Sequence, residues 1–344
     1  MARDQTIFSE IYCALAINNS DDLLKIEGIK DKQKDSYKRE LEKRIKTKSG
    51  ILKNKALFES GKAIREEILK NGINSFKINW TAPEQMGGME SVAKDLEISP
   101  INWRISIKEN ANVFINSSPI TAFIDLPKGN YGQKVRGYDW FLNTAPEEIQ
   151  YYYEACGGSD FNHISTIEDY YKKVKGSQRK KFSEHVANLH KINNPKVLQR
   201  YQELCNKVSE ESARIFNENF LQFEKERKNK NRLTPIFHFF FKINGVSYYL
   251  IGSEGGNPLT IHLPSSSEWT KKYEFLSIEA LPNCAGQPEV ILKFKFKDKI
   301  DSKEFEIPLK IEVRWSHGKF CGNPEAKVYK QWSYKELPWV KVIR

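Results

Sequence analysis

The period at which apolar residues recur changes along this chain, and that change restricts its fold more than any other feature. In "DQTIFSEIYCALAI" and "NKALFESGKAIREEILKNG" they recur every three or four positions, the spacing of one helix face, and Gly72 is a natural C-terminal stop. Beyond Leu233, "PIFHFFFKI", "SYYLIG", "EVILKFKFK" and "FEIPLKIEVRW" alternate apolar with polar residues or are rich in β-branched and aromatic ones, the texture of antiparallel strands. The expected class is therefore α+β or mixed α/β.

Four regions follow from the texture: a helical region over 1–75, a mixed α/β region over 76–145, a helical and basic region over 146–232, and a β-rich region over 233–344. The mixed region has strand candidates "SFKINW", "AKDLEI", "WRISIKEN" and "ITAFIDL". A boundary falls at "KNKNRLTP", 228–235, and Asn244-Gly245 supplies a turn signal.

With 344 residues, 39% hydrophobic and 29% charged, the chain has the composition of a folded soluble protein. No stretch reaches the roughly 18 consecutive apolar residues of a membrane span, and Asp4 and Glu10 interrupt the N-terminus where a signal peptide needs an apolar run. The expected location is cytoplasmic, with no membrane partner. Five widely spaced cysteines suit free thiols, and His317 with Cys321 lacks the second pair that a zinc site needs. The net charge of +11 favours a polyanionic partner. Nine Lys or Arg against the single acid Glu184 fall within 171–200.

The stretch "AKDLEISPINWRISIKEN", 93–110, reads as an antiparallel hairpin turning at "SPIN". Ile98 then opposes Trp103, Glu97 opposes Arg104, Leu96 opposes Ile105, and Asp95 opposes Ser106. Alternation puts Asp95, Glu97, Arg104, Ser106 and Lys108 on one face and Leu96, Ile98, Trp103, Ile105 and Ile107 on the other, which goes to the core. Opposed Cβ atoms lie about 5 Å apart, so Asp95 and Ser106 can share one small site with Lys108 beside them. An ordinary amphipathic hairpin with a solvated polar face has the same alternation.

This stretch resembles the catalytic core of the PD-(D/E)xK nucleases, in which an acid on one strand precedes an (E/D)xK triplet on the next. Asp95 stands as the first acid and "SIK", Ser106 to Lys108, as the S-x-K variant found in some type II restriction endonucleases. The resemblance covers roughly residues 55 to 126. It implies a restriction-endonuclease-like core with helical insertions, and a Mg²⁺-dependent, sequence-specific double-stranded DNA endonuclease in which Mn²⁺ can substitute. Serine carries no charge for a hard cation, so a further carboxylate must join Asp95. Glu90, beside the flexible Gly87-Gly88, is favoured, with Glu97 and Asp125 as alternatives. The family also draws an acid from a helix before the acidic strand; Glu59, Glu66 and Glu67 are available there but fall away from the buried side marked by Leu57, Ile64 and Ile68. Lys108 would orient and deprotonate the attacking water or place a point charge on the scissile phosphate.

For binding, Lys173, Lys175, Arg179, Lys180 and Lys181, interleaved with Tyr170, Tyr171 and Phe182, suit phosphate contacts. Arg314, His317, Lys319 and Asn323 in "VRWSHGKFCGNPEAKVYKQW" are candidate base readers. A homodimer matched to a two-fold symmetric site and a cognate DNA methyltransferase are the expected partners. The chain has no GxxxxGK[ST] and no GxSxG motif, and His185 and His190 are five apart, off one helical face, which disfavours a histidine-metal nuclease. Two rival readings are a nucleic-acid-binding protein without catalysis and an RNA-directed nuclease of the same superfamily.

Overall fold

The computed structural model describes residues 2–81, 94–109, 113–129, 139–226, 240–241, 243 and 245–343, and leaves out the side chains of 2, 3 and 113–115. The helices are α1 (Ala2–Asn18), α2 (Asp31–Arg44), α3 (Lys48–Lys70), α4 (Trp140–Thr144), α5 (Pro146–Ala155), α6 (Gly158–Asn162), α7 (Ile167–Lys173), α8 (Ser177–Lys191), α9 (Pro195–Glu226) and α10 (Ser266–Lys272). The strands are β1 (Ile26–Glu27), β2 (Lys77–Trp80), β3 (Leu96–Ser99), β4 (Trp103–Glu109), β5 (Val113–Ser117), β6 (Tyr248–Glu254), β7 (Asn257–Leu263), β8 (Tyr273–Cys284), β9 (Pro288–Asp298), β10 (Glu304–Trp315), β11 (Pro324–Lys330) and β12 (Lys341–Val342). The protein is a mixed α+β chain. Among the described residues no helix is long and apolar enough to cross a membrane.

The chain divides into two compact units, each discontinuous in sequence: residues 1–112, 237–273 and 332–344, and residues 113–236 and 274–331. The textural boundaries at 75, 145 and 232 do not coincide with this division. Strands from the β-rich C-terminal region enter both units, because strand texture does not encode which sheet a strand joins. The segment "KNKNRLTP" and Asn244 lie outside the described residues.

In the first unit the sheet order among the described residues is β1-β2-β3-β4-β6-β7-β12. Strands β2, β3 and β4 form an antiparallel meander, and β6 then runs parallel to β4. The β3–β4 register is Leu96↔Ile105, Glu97↔Arg104 and Ile98↔Trp103, which the hydrophobic alternation dictates, since a slip of one residue would turn Leu96 and Ile98 out of the core. Phe8 and Ile11 of α1 and Leu57, Ile64 and Ile68 of α3 form one core with Ile78, Leu96, Ile98, Ile105 and Ile251. Each of these side chains contributes roughly 1.5–3 kcal/mol by leaving water. Helix α3 begins where Thr47 Oγ1 accepts from Gly50 N at 3.0 Å. It ends at Gly72, φ +76°, where Ile73 N reaches back to Ile68 O at 3.3 Å, a left-handed cap that glycine adopts without strain.

The second unit has the strand order β5-β11-β10-β9-β8, covered by α9, whose Tyr201, Leu204, Val208 and Phe216 are buried. The strand expected over "ITAFIDL" is instead a π-helical turn, Thr121–Asp125. Ser118 starts it, its hydroxyl accepting from Thr121 N at 3.2 Å and its carbonyl from Ala122 N at 3.1 Å. A short apolar run with no polar alternation has no period that separates strand from helix.

Candidate functional site

Asp95 sits one residue before β3, at the point where β3 and β4 separate. Its N–H still reaches Ile105 O at 2.8 Å, but the next inward N–H of β4, that of Ile107, has no backbone acceptor left on β3. The Asp95 carboxylate takes that place, with Oδ2 accepting from Ile107 N at 2.6 Å and from Ser106 Oγ at 3.2 Å. On the other side the Asp95 carbonyl accepts from Thr81 N at 3.0 Å. The expected opposition of Asp95 and Ser106 is thus made through side chains. Both are buried, at 6% and 2% exposure, so this end of the polar face is not a solvated one.

A further buried acid comes from α1. Glu10 is 4% exposed, and its Oε2 accepts from Trp80 Nε1 on β2 at 2.7 Å. Burial, with the negative charge of Asp95 adding to it, pushes the Glu10 carboxyl from its ordinary 4.5 up to about 7, against the Trp80 hydrogen bond and the Lys108 charge, which pull it down. Asp95 and Lys108 therefore both act on the charge of Glu10. Lys108 is exposed, two residues beyond Ser106 on β4. Buried Tyr248 on β6 also feels Asp95: burial first, then that charge, raises its phenol.

Behind Lys108, the β4 backbone is held against β6 by a close approach that only glycine permits. A Cβ on Gly252, φ +139°, would lie 1.9 Å from the Lys108 carbonyl oxygen. The following residue, Glu109, accepts from Ser9 Oγ at 2.5 Å and from Arg44 Nη2 at 2.8 Å. Helix α1 thus makes polar contacts to the sheet through neighbouring residues, Ser9 to β4 and Glu10 to β2.

The structure brings Asp95 and Ser106 into contact, with Lys108 two residues further along β4, and it sets Glu10, which the sequence analysis did not select, within reach of the Asp95 and Lys108 charges. A signal for it existed. Glu10 lies three residues after Ile7 and four before Ala14, a lone acid inside the apolar stripe of a helix. Glu97 is taken by Lys94 at 2.7 Å, and Glu67 by Lys341 at 2.9 Å. Glu90 lies outside the described residues, and Asp125 belongs to the second unit. Among the described residues no group of three or more His, Cys, Asp or Glu side chains is placed to hold a metal ion.

The candidate DNA contacts all lie in the second unit, and they divide by availability. Lys175, Lys180 and Lys181 are exposed on the loop before α8 and on its first turn. Lys173 is paired with Asp169 at 2.9 Å. Arg179 turns inward, donating to Val174 O at 2.7 Å and Tyr171 O at 2.6 Å, so it ties α7 to α8 instead of facing a phosphate. Arg314 is held by Glu325 at 2.9 Å across the β10–β11 pair and by Glu312 at 3.6 Å. The Lys319 ammonium lies 4.3 Å from the centre of the Tyr201 ring, and burial lowers its pKa. Its stretch is a packed β10–β11 connection in which Trp315 and Phe320 are buried, and only His317 and Asn323 of the four proposed readers are exposed. The alternation of aromatic and basic residues there reflects a core with side chains packed around it.

No family model matches the chain, and neither a curated protein nor a solved structure matches it.

Proposed function

We propose that the chain is a Mg²⁺-dependent, sequence-specific double-stranded DNA endonuclease of the type II restriction kind, with a PD-(D/E)xK-like core in its first unit. The observation that carries this reading is the buried Asp95–Ser106 contact where β3 and β4 separate, two residues before Lys108 on β4, with the Glu10 carboxyl within reach of the Asp95 and Lys108 charges. An acid before one strand and an S-x-K triplet on the next, joined by an acid from a preceding helix, is the arrangement the resemblance implies.

The donor chemistry suits a hard divalent cation. Two buried carboxylates whose charges repel each other gain from a cation that takes oxygen ligands, and Mg²⁺ is commonly held by one or two carboxylates while keeping several waters. Asp95 and Glu10 would hold it, with Mn²⁺ as a substitute. Bound there, the ion supplies Lewis acidity and lowers the pKa of a water. The chain's own residues do the rest: Ser106 fixes the Asp95 carboxylate, and Lys108 either orients the attacking water or places its charge on the scissile phosphate. Lys175, Lys180 and Lys181 offer phosphate contacts, and His317 and Asn323 offer contacts to base edges. A homodimer would match a two-fold symmetric site, and a DNA methyltransferase of the same specificity would protect host DNA.

A second reading, a nucleic-acid-binding protein without catalysis, is favoured by one observation: Asp95 already serves the fold as the acceptor for Ile107 N. Digestion of unmodified phage DNA with and without Mg²⁺, using the wild type beside Lys108→Ala, decides between them. Discrete fragments from the wild type alone, and only with metal, support the nuclease. Intact duplex over several metals and DNAs, from folded protein, would leave the binding-only reading, or the RNA-directed one if RNA is cut.

A further inference from the structure

We infer that Cys205 of α9 and Cys284 at the end of β8 are a peroxide-sensitive pair, which hydrogen peroxide converts to a disulfide and a thiol reductant restores. Both lie in the second unit, and both are free thiols in this structure. Cys205 is fully buried and Cys284 is partly exposed. The pair requires neither metal nor DNA, so it stands or falls apart from the nuclease reading.

One stripe of α9 sets the two thiols opposite each other. Gln202, Cys205 and Ser209 follow at spacings of three and four, so they share a helix face. The Gln202 side-chain N–H donates to Cys284 Sγ at 2.9 Å. The Ser209 hydroxyl lies 2.7 Å from Cys205 O and 2.9 Å from Asn283 O, and it accepts from Glu289 N at 3.0 Å. Contacts one turn to either side of Cys205 thus land on Cys284 and on the residue before it. Tyr201 adds a further tie, its hydroxyl donating to Gln287 Oε1 at 2.7 Å. Held in this way, the Cys205 and Cys284 side chains are hydrogen-bonding neighbours.

The surroundings suit an oxidation that begins at Cys284. An oxidant meets the accessible thiol first, and reactive cysteines occupy partly exposed sites near positive charge. Lys319 brings that charge to the pair: its ammonium lies 4.3 Å from the centre of the Tyr201 ring and acts on the Cys205 thiol. Burial, with the neighbouring Cys284 adding to it, raises the Cys205 pKa, against the Tyr201 hydrogen bond and the Lys319 charge, which pull it down. Cys205 is therefore the second thiol to react.

The Cys284 sulfur attacks one peroxide oxygen, the O–O bond breaks, and the other oxygen leaves with the thiol proton as water, so that Cys284 becomes a sulfenic acid. The Cys205 sulfur then attacks the Cys284 sulfur. The S–O bond breaks, and the hydroxyl leaves with the Cys205 proton as a second water. The two thiols give up two electrons and one peroxide is reduced. The bond ties α9 to the β8–β9 turn, and the loop of chain it closes runs through β6 and β7 of the first unit.

The test treats the folded full chain with hydrogen peroxide, blocks the remaining thiols with N-ethylmaleimide, and maps the peptides by mass spectrometry without reductant. A crosslink between the Cys205 and Cys284 peptides is expected, and dithiothreitol should remove it. Cys321, the other partly exposed thiol, serves as the internal control and should stay out of any crosslink. In Cys205→Ala the Cys284 sulfenic acid has no thiol to meet it and should be trapped by dimedone in higher yield than in the wild type. In Cys284→Ala, which changes only a partly exposed side chain, Cys205 should stay reduced under the same treatment. Free Cys205 in peroxide-treated wild type that keeps its native circular dichroism, or Cys284 joined instead to Cys321 or to a second molecule, would overturn the inference.

Discussion

Replacing Glu10 by glutamine isolates the buried acid that α1 presents to Trp80 of β2. Glutamine keeps the length of the side chain and an oxygen for Trp80 Nε1, which donates to Glu10 at 2.7 Å. It removes only the charge. The Glu10 carboxyl moves from its ordinary 4.5 to about 7 on folding, because burial and the neighbouring Asp95 disfavour its ionised form. Between those two values the native state holds a proton that the unfolded chain has released, so stability falls as pH rises through the window and the loss is complete above it. At about 1.4 kcal/mol for each pH unit, the loss amounts to about 3 kcal/mol. Wild type and Glu10→Gln should be equally stable near pH 4.5, and the variant should be about 3 kcal/mol more stable near pH 8. Urea unfolding of both proteins across that range, with chelator present, measures the difference directly. Adding Mg²⁺ at the higher pH should restore stability to the wild type and not to the variant, since a ligand that binds only the native state stabilises it. Parallel pH profiles for the two proteins would refute the burial and charge argument, whatever the enzyme does.

Asp95→Ala leaves the buried Ile107 N–H and the Ser106 hydroxyl without their acceptor and should cost about 2 kcal/mol in urea unfolding, most of which Asp95→Asn recovers through its side-chain oxygen. Gly252→Ala places a methyl group against the Lys108 carbonyl at a strained φ and should destabilise by more than about 2 kcal/mol, seen as a lower melting temperature. Arg44→Met strands Glu40 and Glu109 beside each other and should cost about 3–5 kcal/mol at neutral pH. In the wild type, burial tends to raise the Glu109 pKa, but hydrogen bonds from Arg44 and Ser9 and the charges of Arg44 and Lys53 outweigh it and lower it overall. Its stabilising contribution is present above the ordinary carboxylate range and lost as pH falls, so the gap between wild type and Arg44→Met should narrow in acid melts.

Local pattern made much of the scaffold legible. Helices α1 and α3 follow from apolar spacing and the glycine stop, and the β3–β4 register agrees with the alternation, because a slip of one residue would turn Leu96, Ile98, Ile105 and Ile107 to the other face. Strand β7, "NPLTIHL", and strand β11, "PEAKVYK", carry weaker patterns and open with or next to proline, so they become strands through the partners they pair with. The basic residues of 171–200 were visible, but not that Arg179 would turn inward to backbone carbonyls, because its neighbours Tyr171 and Val174 set that direction.

The sequence by itself determined the faces of its elements: which side of each helix is apolar, and which residues of the 93–110 ribbon look the same way. These depend on periods of 3.6 and 2, properties of a few consecutive residues. Tertiary structure alone decided which faces meet. Glu10 reaches Trp80 across 70 residues, and Ser60 of α3 bonds the Gly252 carbonyl across 192, after residues 113–236 of the second unit have intervened in the chain. The packing of α1 on the sheet carries Glu10 to Trp80 and Ser9 to Glu109, and α2 brings Arg44 to the same Glu109. Such neighbours are joined by contacts distant in sequence, and no local period records them.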